Sequence, residues 1–420
     1  MVISLEFYTP NYDIGIFRVL PTLLSESFKI ELDYPYSDWI LKNREYRSKF
    51  QETDLSIFLI IDSLCLDLLE GYLKKLWMES GELTLSSIAP TTTANAVGSI
   101  YIGLPPEISG LIAMRFYVPE IGNFVNALHG KVSRQGSRDS LAAVGVKLSS
   151  FLWHPSVLDT IGGDDFVVID LLPDKIYGGL SRFYEENIIR LHYSTELDTV
   201  YEVRDISRKF ISHKKRGIIF VYFSELDSIG HKYGKKSLEW KNELSLLNNV
   251  VEEIVSIVKS LGERVNVVIL SDHGHVEVRH HVEIDEDDWK KFSSEMGILE
   301  YMSSERFGFI YLQEDTGGID LEKIENFFDN RVKVLTVEEA IRKNFWPALN
   351  EEYLEAFLSR AGDLVLVADK GIELEFKRKN KTVDDFLYGL GNEYRKYRGG
   401  HGGLTKDEMI IPLIVLNTGE

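Results

Sequence analysis

"GIIFVYFSELDSIGHKYG", residues 217–234, is the stretch from which the fold can be read. Gly217 to Phe223 is an unbroken apolar run, as expected of a strand buried on both faces of a parallel sheet. An acid, Asp227, and an imidazole, His231, follow it, four residues apart. A surface turn needs neither, whereas a site that holds something charged has use for both. Outward from this stretch, "LSIFLIID" (55–62), "DFVVIDLL" (165–172), "RGIIFVYF" (216–223), "VNVVIL" (265–270) and "MIIPLIVLN" (409–417) read as strands. "LLEGYLKKLWMES" (68–80) reads as a helix, and so does "SLEWKNELSLLNNVVEEIVSIVKSLGE" (237–263). The second carries Leu244, Leu247, Val251, Ile254 and Val258 on one stripe. Strands alternating with helices predict an α/β protein: a three-layer α/β/α sandwich around a mainly parallel sheet. Between residues 276 and 395 the strands shorten ("FGFIYLQ", "VKVLTVEEA", "DLVLVADKGIELEF"). This predicts an inserted smaller α+β subdomain or cap over 276–395, with 1–275 and 396–420 forming the main body.

Composition narrows the function. The chain has 420 residues, 44% of them hydrophobic, enough for a sizeable core. Its formal charge of −19 argues against a nucleic-acid groove, which needs clustered Lys and Arg. A small anionic substrate stays open, because a bound cation reverses local charge. The single cysteine, Cys65, allows no internal disulfide and fits a reducing, cytoplasmic compartment. The start carries no signal-peptide pattern, and no run of about 18 apolar residues predicts a membrane span. Three glutamines, one cysteine and abundant Ile, Lys and Glu resemble a thermophile's usage.

Ligands in an open α/β sheet bind beyond the carboxyl ends of the strands. The first strand ends in Asp62, the 216–223 strand leads to Asp227 and His231, and "VNVVIL" runs into "SDHGH" with Asp272 and His273. "RGGHGG" puts His401 in a glycine-rich loop before the last strand. Three Asp and three His at one edge suffice for two metal ions, Zn²⁺ first, with Mn²⁺ or Fe as alternatives. Two metals about 4 Å apart suit phosphoester chemistry. Any one of these residues alone reads as a helix cap or a plain loop; their joint placement carries the argument. In "SSIAPTTTANAVGSIYIGLPPEISG" (86–110), Thr91, Thr92 and Thr93 precede a small-residue helix whose free amides favour an anion. Each of the three is either an N-cap or a nucleophile. His275, His280 and His281 could protonate a leaving group, but such residues are more often partly exposed bystanders. "GHKYGKKS" lacks phosphate-loop spacing, and "YGLGNE" (388–393) carries no dinucleotide signal.

Together, "IID" ending in Asp62, "APTTTANAVGSIYIGLPPEISG", "ELDSIGHKYG", "SDHG" and "GGHGGLTKDEMIIPL" resemble the alkaline phosphatase superfamily. Within it the set is most similar to the type I phosphodiesterase/nucleotide pyrophosphatase branch. The resemblance implies that Asp227, His231 and His401 hold one metal, and that Asp62, Asp272 and His273 hold a second, which also meets the nucleophile. In the family that nucleophile lies three residues after a proline and ten before a glycine. Pro90 and Gly103 thus both imply Thr93, with Thr92 the fallback. The implied reaction is attack of Thr93 on phosphorus, a phosphothreonine intermediate, and its hydrolysis. The implied partner is a small phosphodiester or nucleotide.

Two departures stand out. Ala94, Asn95 and Ala96 follow the threonine where the branch has F-P-N, and "GLIAMRFY" lacks the branch's phosphate-binding asparagine. Asn95 or Arg115 is the candidate substitute. A sulfatase is excluded, because no C-x-P-x-R surrounds the nucleophile. The alternatives are a phosphomonoesterase and a metal-binding regulatory or defence module resembling PglZ-type domains, which share "HGG".

Overall fold

Seven strands form the central sheet: β1 (Leu55–Ile61), β2 (Thr84–Ser86), β3 (Phe166–Pro173), β4 (Ile188–Tyr193), β5 (Arg216–Phe223), β6 (Val265–Leu270) and β7 (Ile410–Asn417). Their order is β2-β7-β6-β1-β5-β3-β4. The structure is a computed structural model that describes residues 7–133, 136–161, 165–176, 178–184, 186–313, 318–377 and 397–418. β1 pairs in parallel with β5 and β6, and β3 in parallel with β4 and β5. β7 runs antiparallel to both β6 and β2. The expected mainly parallel sheet is present, with one reversed strand that an apolar run alone does not reveal.

The continuous apolar runs are explained by burial on both faces. In β1, Ile57, Leu59 and Ile61 enter one hydrophobic cluster while Phe58 and Ile60 enter another. β5 alternates likewise: Ile219, Val221 and Phe223 face one way, and Ile218, Phe220 and Tyr222 the other. This is the two-residue period of a strand between two layers of helix. Helix α1 (Thr93–Ile102) lies in the layer of Phe58, and the long helix α3 (Leu238–Ser260) in the layer of Ile57. The stripe Leu244, Leu247, Val251, Ile254 and Val258 on α3 is fully buried there. Between them in sequence lies the short helix α2 (Glu225–Tyr233).

A second, four-stranded antiparallel sheet is built from Ile298–Ser304, Phe307–Leu312, Leu364–Ala368 and Val332–Thr336, in that spatial order. One of its faces packs Phe307, Phe309, Val365 and Val367 into the main core; the other packs Tyr301, Ile310, Leu364 and Leu366 into a separate cluster. Val276–Glu277 pairs antiparallel with Gly399–Gly400. "YGLGNE" lies outside the described residues.

Candidate active site

Parallel pairing determines where the polar residues go. β1, β5 and β6 all end at the same edge, so Asp62, Asp227 and Asp272 arrive together. β7 begins there too, because Leu413 pairs with Leu270, the last residue of β6, and this brings the His401 loop to the same edge. Asp227 and His231 lie on α2 rather than in a loop; their four-residue spacing stacks them on one helical face, with Asp227 Oδ2 3.4 Å from His231 Nε2.

One cluster gathers around His273 Nε2. Asp272 Oδ2 is 3.2 Å away, Asp62 Oδ1 3.6 Å and Thr93 Oγ1 3.2 Å. Each of the two carboxylates is anchored by one oxygen only. Asp62 Oδ2 accepts from the Tyr222 hydroxyl, and Asp272 Oδ1 accepts from the Ser63 and His273 amides. The other oxygens, Asp62 Oδ1 and Asp272 Oδ2, are buried without a hydrogen bond, and these are the two that face His273 Nε2. Two buried carboxylates with free oxygens turned toward one point are costly unless a cation neutralises them. The protonation equilibria reflect this. Burial, then the negative charges of Asp272 and Asp227, push the Asp62 carboxyl well above the ordinary range. Burial also raises Asp272, to about 6. Burial and the neighbouring His401 lower His273 to about 3, so its ring is neutral and its lone pair available.

A second cluster gathers around Asp227. His231 Nε2, His401 Nε2 and His275 Nε2 lie 3.4, 3.6 and 3.7 Å from its carboxylate oxygens. Burial pushes Asp227 up, but the surrounding imidazoles, His231 and then His401 foremost, outweigh it and hold the carboxyl well below the ordinary range. Burial lowers His231, yet Asp227, Glu305 and Glu373 raise it to about 9. The two clusters adjoin: the His273 and His401 rings stack 3.8 Å apart.

Three imidazoles are oriented alike. His231 Nδ1 donates to the Gly399 carbonyl (3.1 Å), His273 Nδ1 to Gly274 (3.0 Å) and His401 Nδ1 to Thr91 (2.9 Å). A carbonyl only accepts, so each Nδ1 carries a proton and Nε2 is the nitrogen that a cation would take. Among the described residues, three groupings have ligand atoms mutually within 4.8 Å: Asp62, Asp272 and His273; Asp227, His231 and His275; and His231, Glu305 and His401. The free carboxylate oxygens, the neutral His273 and the Nδ1-anchored rings all fit divalent cations.

Thr93 is the first residue of α1, and its hydroxyl is the one that meets His273. Thr92 is the N-cap, its hydroxyl buried with no hydrogen bond. Thr91 Oγ1 donates to the Gly403 carbonyl (2.7 Å) and accepts from the Gly402 amide (3.1 Å), tying this segment to the His401 loop. The first turn of α1 carries no acidic residue and no side-chain cap, so its amides are open to an anion. Asn95, the third residue of α1, is fully buried; its Nδ2 donates to the Ile112 carbonyl (2.9 Å), while its Oδ1 has no partner. Arg115 is half-buried on the strand Arg115–Val118; burial lowers His129, and the charges of Arg138, Lys131 and then Arg115 add to it.

Several residues here escape a reading of the sequence. Ser63, at a left-handed φ of 61°, turns its amide to Asp272 and its hydroxyl to Asp227 Oδ1 (2.7 Å). Such strained geometry in a non-glycine residue is typical of functional sites. Tyr222 looks like one more apolar strand residue. Glu305 comes from a turn of the second sheet, between Ile298–Ser304 and Phe307–Leu312, and nothing in "SSERF" marks it. His280 is exposed and His281 half-buried, as such residues usually are, but His275 is completely buried.

A mostly parallel sheet flanked by helices, with acids and imidazoles paired at one edge beside a helix-capping hydroxyl, defines the alkaline-phosphatase-like class. The chain belongs to the type I phosphodiesterase/nucleotide pyrophosphatase family, whose model matches residues 57–403. Human ectonucleotide pyrophosphatase/phosphodiesterase family member 1 is 27% identical over 197 residues, 44% of this chain but only 19% of its own length. The chain thus matches about a fifth of that relative. Among solved structures, murine ectonucleotide pyrophosphatase/phosphodiesterase 5 covers 85% of this chain and 87% of its own at a TM-score of 0.57 and 16% identity. Phosphonoacetate hydrolase from Sinorhizobium meliloti, in complex with phosphonoformate, covers 86% and 90% at a TM-score of 0.56 and 18% identity. At these identities the structural likeness speaks for the fold.

Proposed function

We propose that this chain is a two-metal phosphoester hydrolase, a phosphodiesterase or nucleotide pyrophosphatase acting through Thr93. The observation that carries the reading is the contact of Thr93 Oγ1 with His273 Nε2, where Asp62 and Asp272 turn their free oxygens. Asp62, Asp272, His273 and Thr93 would hold one cation, and Asp227, His231 and His401 the other. Such cations lower the pKa of a ligated hydroxyl and offset charge on phosphate oxygens.

The chain's own residues supply the rest. The start of α1 fixes Thr93 and turns its open amides toward a phosphate oxygen. Thr93 Oγ bonds to phosphorus as the bond to the leaving oxygen breaks, giving a phosphothreonine ester that water then hydrolyses. Asn95 Oδ1 is an acceptor and its Nδ2 is engaged by Ile112, which leaves the branch's missing phosphate contact to the α1 amides or to Arg115. Murine ectonucleotide pyrophosphatase/phosphodiesterase 5 has been solved as an inactive variant in complex with AMP, which supports a nucleotide as the first substrate to screen.

The same reading treats residues 276–395 as an inserted unit that contributes Glu305, and puts the protein in a reducing, cytoplasmic compartment on the strength of its single cysteine. Among the described residues no helix is long and apolar enough to cross a membrane. The test is initial rates on a bis-aryl phosphodiester and the matching aryl monoester, with Zn²⁺ or Mn²⁺ supplied. Diester preference is the expected result. Monoester preference would move the protein to phosphomonoesterase chemistry, and two bound metals without turnover would favour a binding module.

A further inference from the structure

The buried imidazoles at the site are of two kinds. His231, His273 and His401 each commit Nδ1 to a backbone carbonyl and present Nε2 to a carboxylate. His275 commits neither nitrogen. Its side chain is 0% exposed, and both Nδ1 and Nε2 lack a hydrogen-bond partner. A buried polar atom left unmatched destabilises the fold, so a ring in this position is expected to have a partner of another sort.

The ring is also tightly placed. A Cβ on Gly399 would lie 2.4 Å from His275 Cε1, and one on Gly230 would lie 3.1 Å from His275 Nε2. Neither glycine adopts a left-handed φ, so neither is needed for backbone freedom. Both leave space for this imidazole, one from α2 and one from the glycine-rich loop.

That space aims Nε2 at Asp227. The 3.7 Å from His275 Nε2 to Asp227 Oδ1 compares with 3.6 Å from His401 to the same oxygen and 3.4 Å from His231 to Oδ2. Ligands on bonds of about 2.0–2.1 Å in a tetrahedral site stand about 3.3 Å apart. All three contacts are near that spacing, and the ligand atoms of Asp227, His231 and His275 lie within 4.8 Å of one another. We propose that His275 is a further protein ligand of the cation held by Asp227, His231 and His401. The donor set becomes three imidazoles and one carboxylate, which selects a borderline divalent ion such as Zn²⁺ or Co²⁺ over oxygen-seeking Mg²⁺. The inference rests on the two-metal reading above.

The test uses the full chain, stripped by chelation and titrated with Co²⁺, read by visible absorption and by metal content. His275→Met keeps the volume but offers no nitrogen and leaves no unmatched polar atom, so the metal-free variant should be at least as heat-stable as wild type. Wild type should take up two Co²⁺ per chain. In His275→Met one of the two sites should weaken at least tenfold with an altered spectrum, while the other is unchanged. Asp62→Asn should weaken the opposite site. Equal affinity and spectrum in His275→Met and wild type would overturn the proposal and leave the two-metal reading intact. No Co²⁺ uptake by wild type would overturn both. A count that needs no variant guards against misfolding: in Co²⁺-loaded wild type, four ligated imidazoles give four hyperfine-shifted ring N–H proton signals. Three signals would contradict the proposal.

Discussion

Thr93 and Thr92 are neighbours with opposite surroundings. Thr93 Oγ1 touches His273, whereas the Thr92 hydroxyl is enclosed at the helix cap. Thr93→Ala should lower kcat by about 10³-fold or more, as loss of a nucleophile does, while metal content measured on the same preparation stays at the wild-type level to within one site's weakening. Thr92→Ala should retain turnover. Tyr222 acts one step removed: its hydroxyl donates to Asp62 Oδ2 and leaves Oδ1 as the free oxygen. Tyr222→Phe should therefore weaken metal affinity by about 10–100-fold, the usual cost of losing a partner behind a ligand. Equilibrium titration with Zn²⁺ checks this, and unchanged affinity would show that Asp62 is held by other means. At this scale the legible residues were those whose type is unusual at a strand end, such as Asp62 and Asp272. Ser63, Tyr222 and Glu305 were not legible, because serine, tyrosine and glutamate are ordinary where they occur and only the fold brings them to the site.

The elements carry their own consequences. Helix α1 is held by the short helix Pro106–Ser109, whose Glu107 is fully buried and accepts from the Tyr12 hydroxyl (3.0 Å) and the Ala348 amide (3.0 Å). Burial pushes the Glu107 carboxyl up to about 7, against the pull of those hydrogen bonds. Its folded pKa thus lies above its ordinary one. The folded state keeps the proton while the unfolded state releases it, so the contribution is complete below pH 4.5 and is lost as pH rises to about 7. The term is on the order of 3 kcal/mol at most. Glu107→Gln keeps an acceptor for the Ala348 amide and reverses the Tyr12 contact, its Nε2 donating to the Tyr12 hydroxyl oxygen, without the charge; it should remove that slope and stabilise the protein at pH 8. Melting temperatures from pH 4.5 to 8 decide it; parallel profiles for the two proteins would contradict the assignment. The strands and α3 were legible because two-sided burial and a 3.6-residue stripe leave direct marks on composition. The reversal of β7 was not, since an apolar run has the same look in either direction. It matters, because only an antiparallel β7 starts at the edge where β1, β5 and β6 end.

On the scale of the whole molecule, the site is assembled from distant parts of the chain: Asp62, Thr93, Asp227, Asp272, Glu305 and His401 all meet there. A cation bound by such residues in the folded chain has little affinity for the unfolded one, so it stabilises by mass action. Removing metal should lower the melting temperature, and adding Zn²⁺ back should raise it in a concentration-dependent way. An identical melting temperature with and without chelator would count against both cation positions. The order of motifs along the chain made the class readable, while the second sheet's contribution of Glu305 needed the fold.

The most direct test of the central claim is to quench the metal-loaded enzyme in acid during turnover of a bis-aryl phosphodiester and map the modified peptide by mass spectrometry. The account predicts a phosphoryl ester on Thr93, absent from Thr93→Ala. An ester on Thr92, or steady turnover by Thr93→Ala with no ester at all, would contradict it.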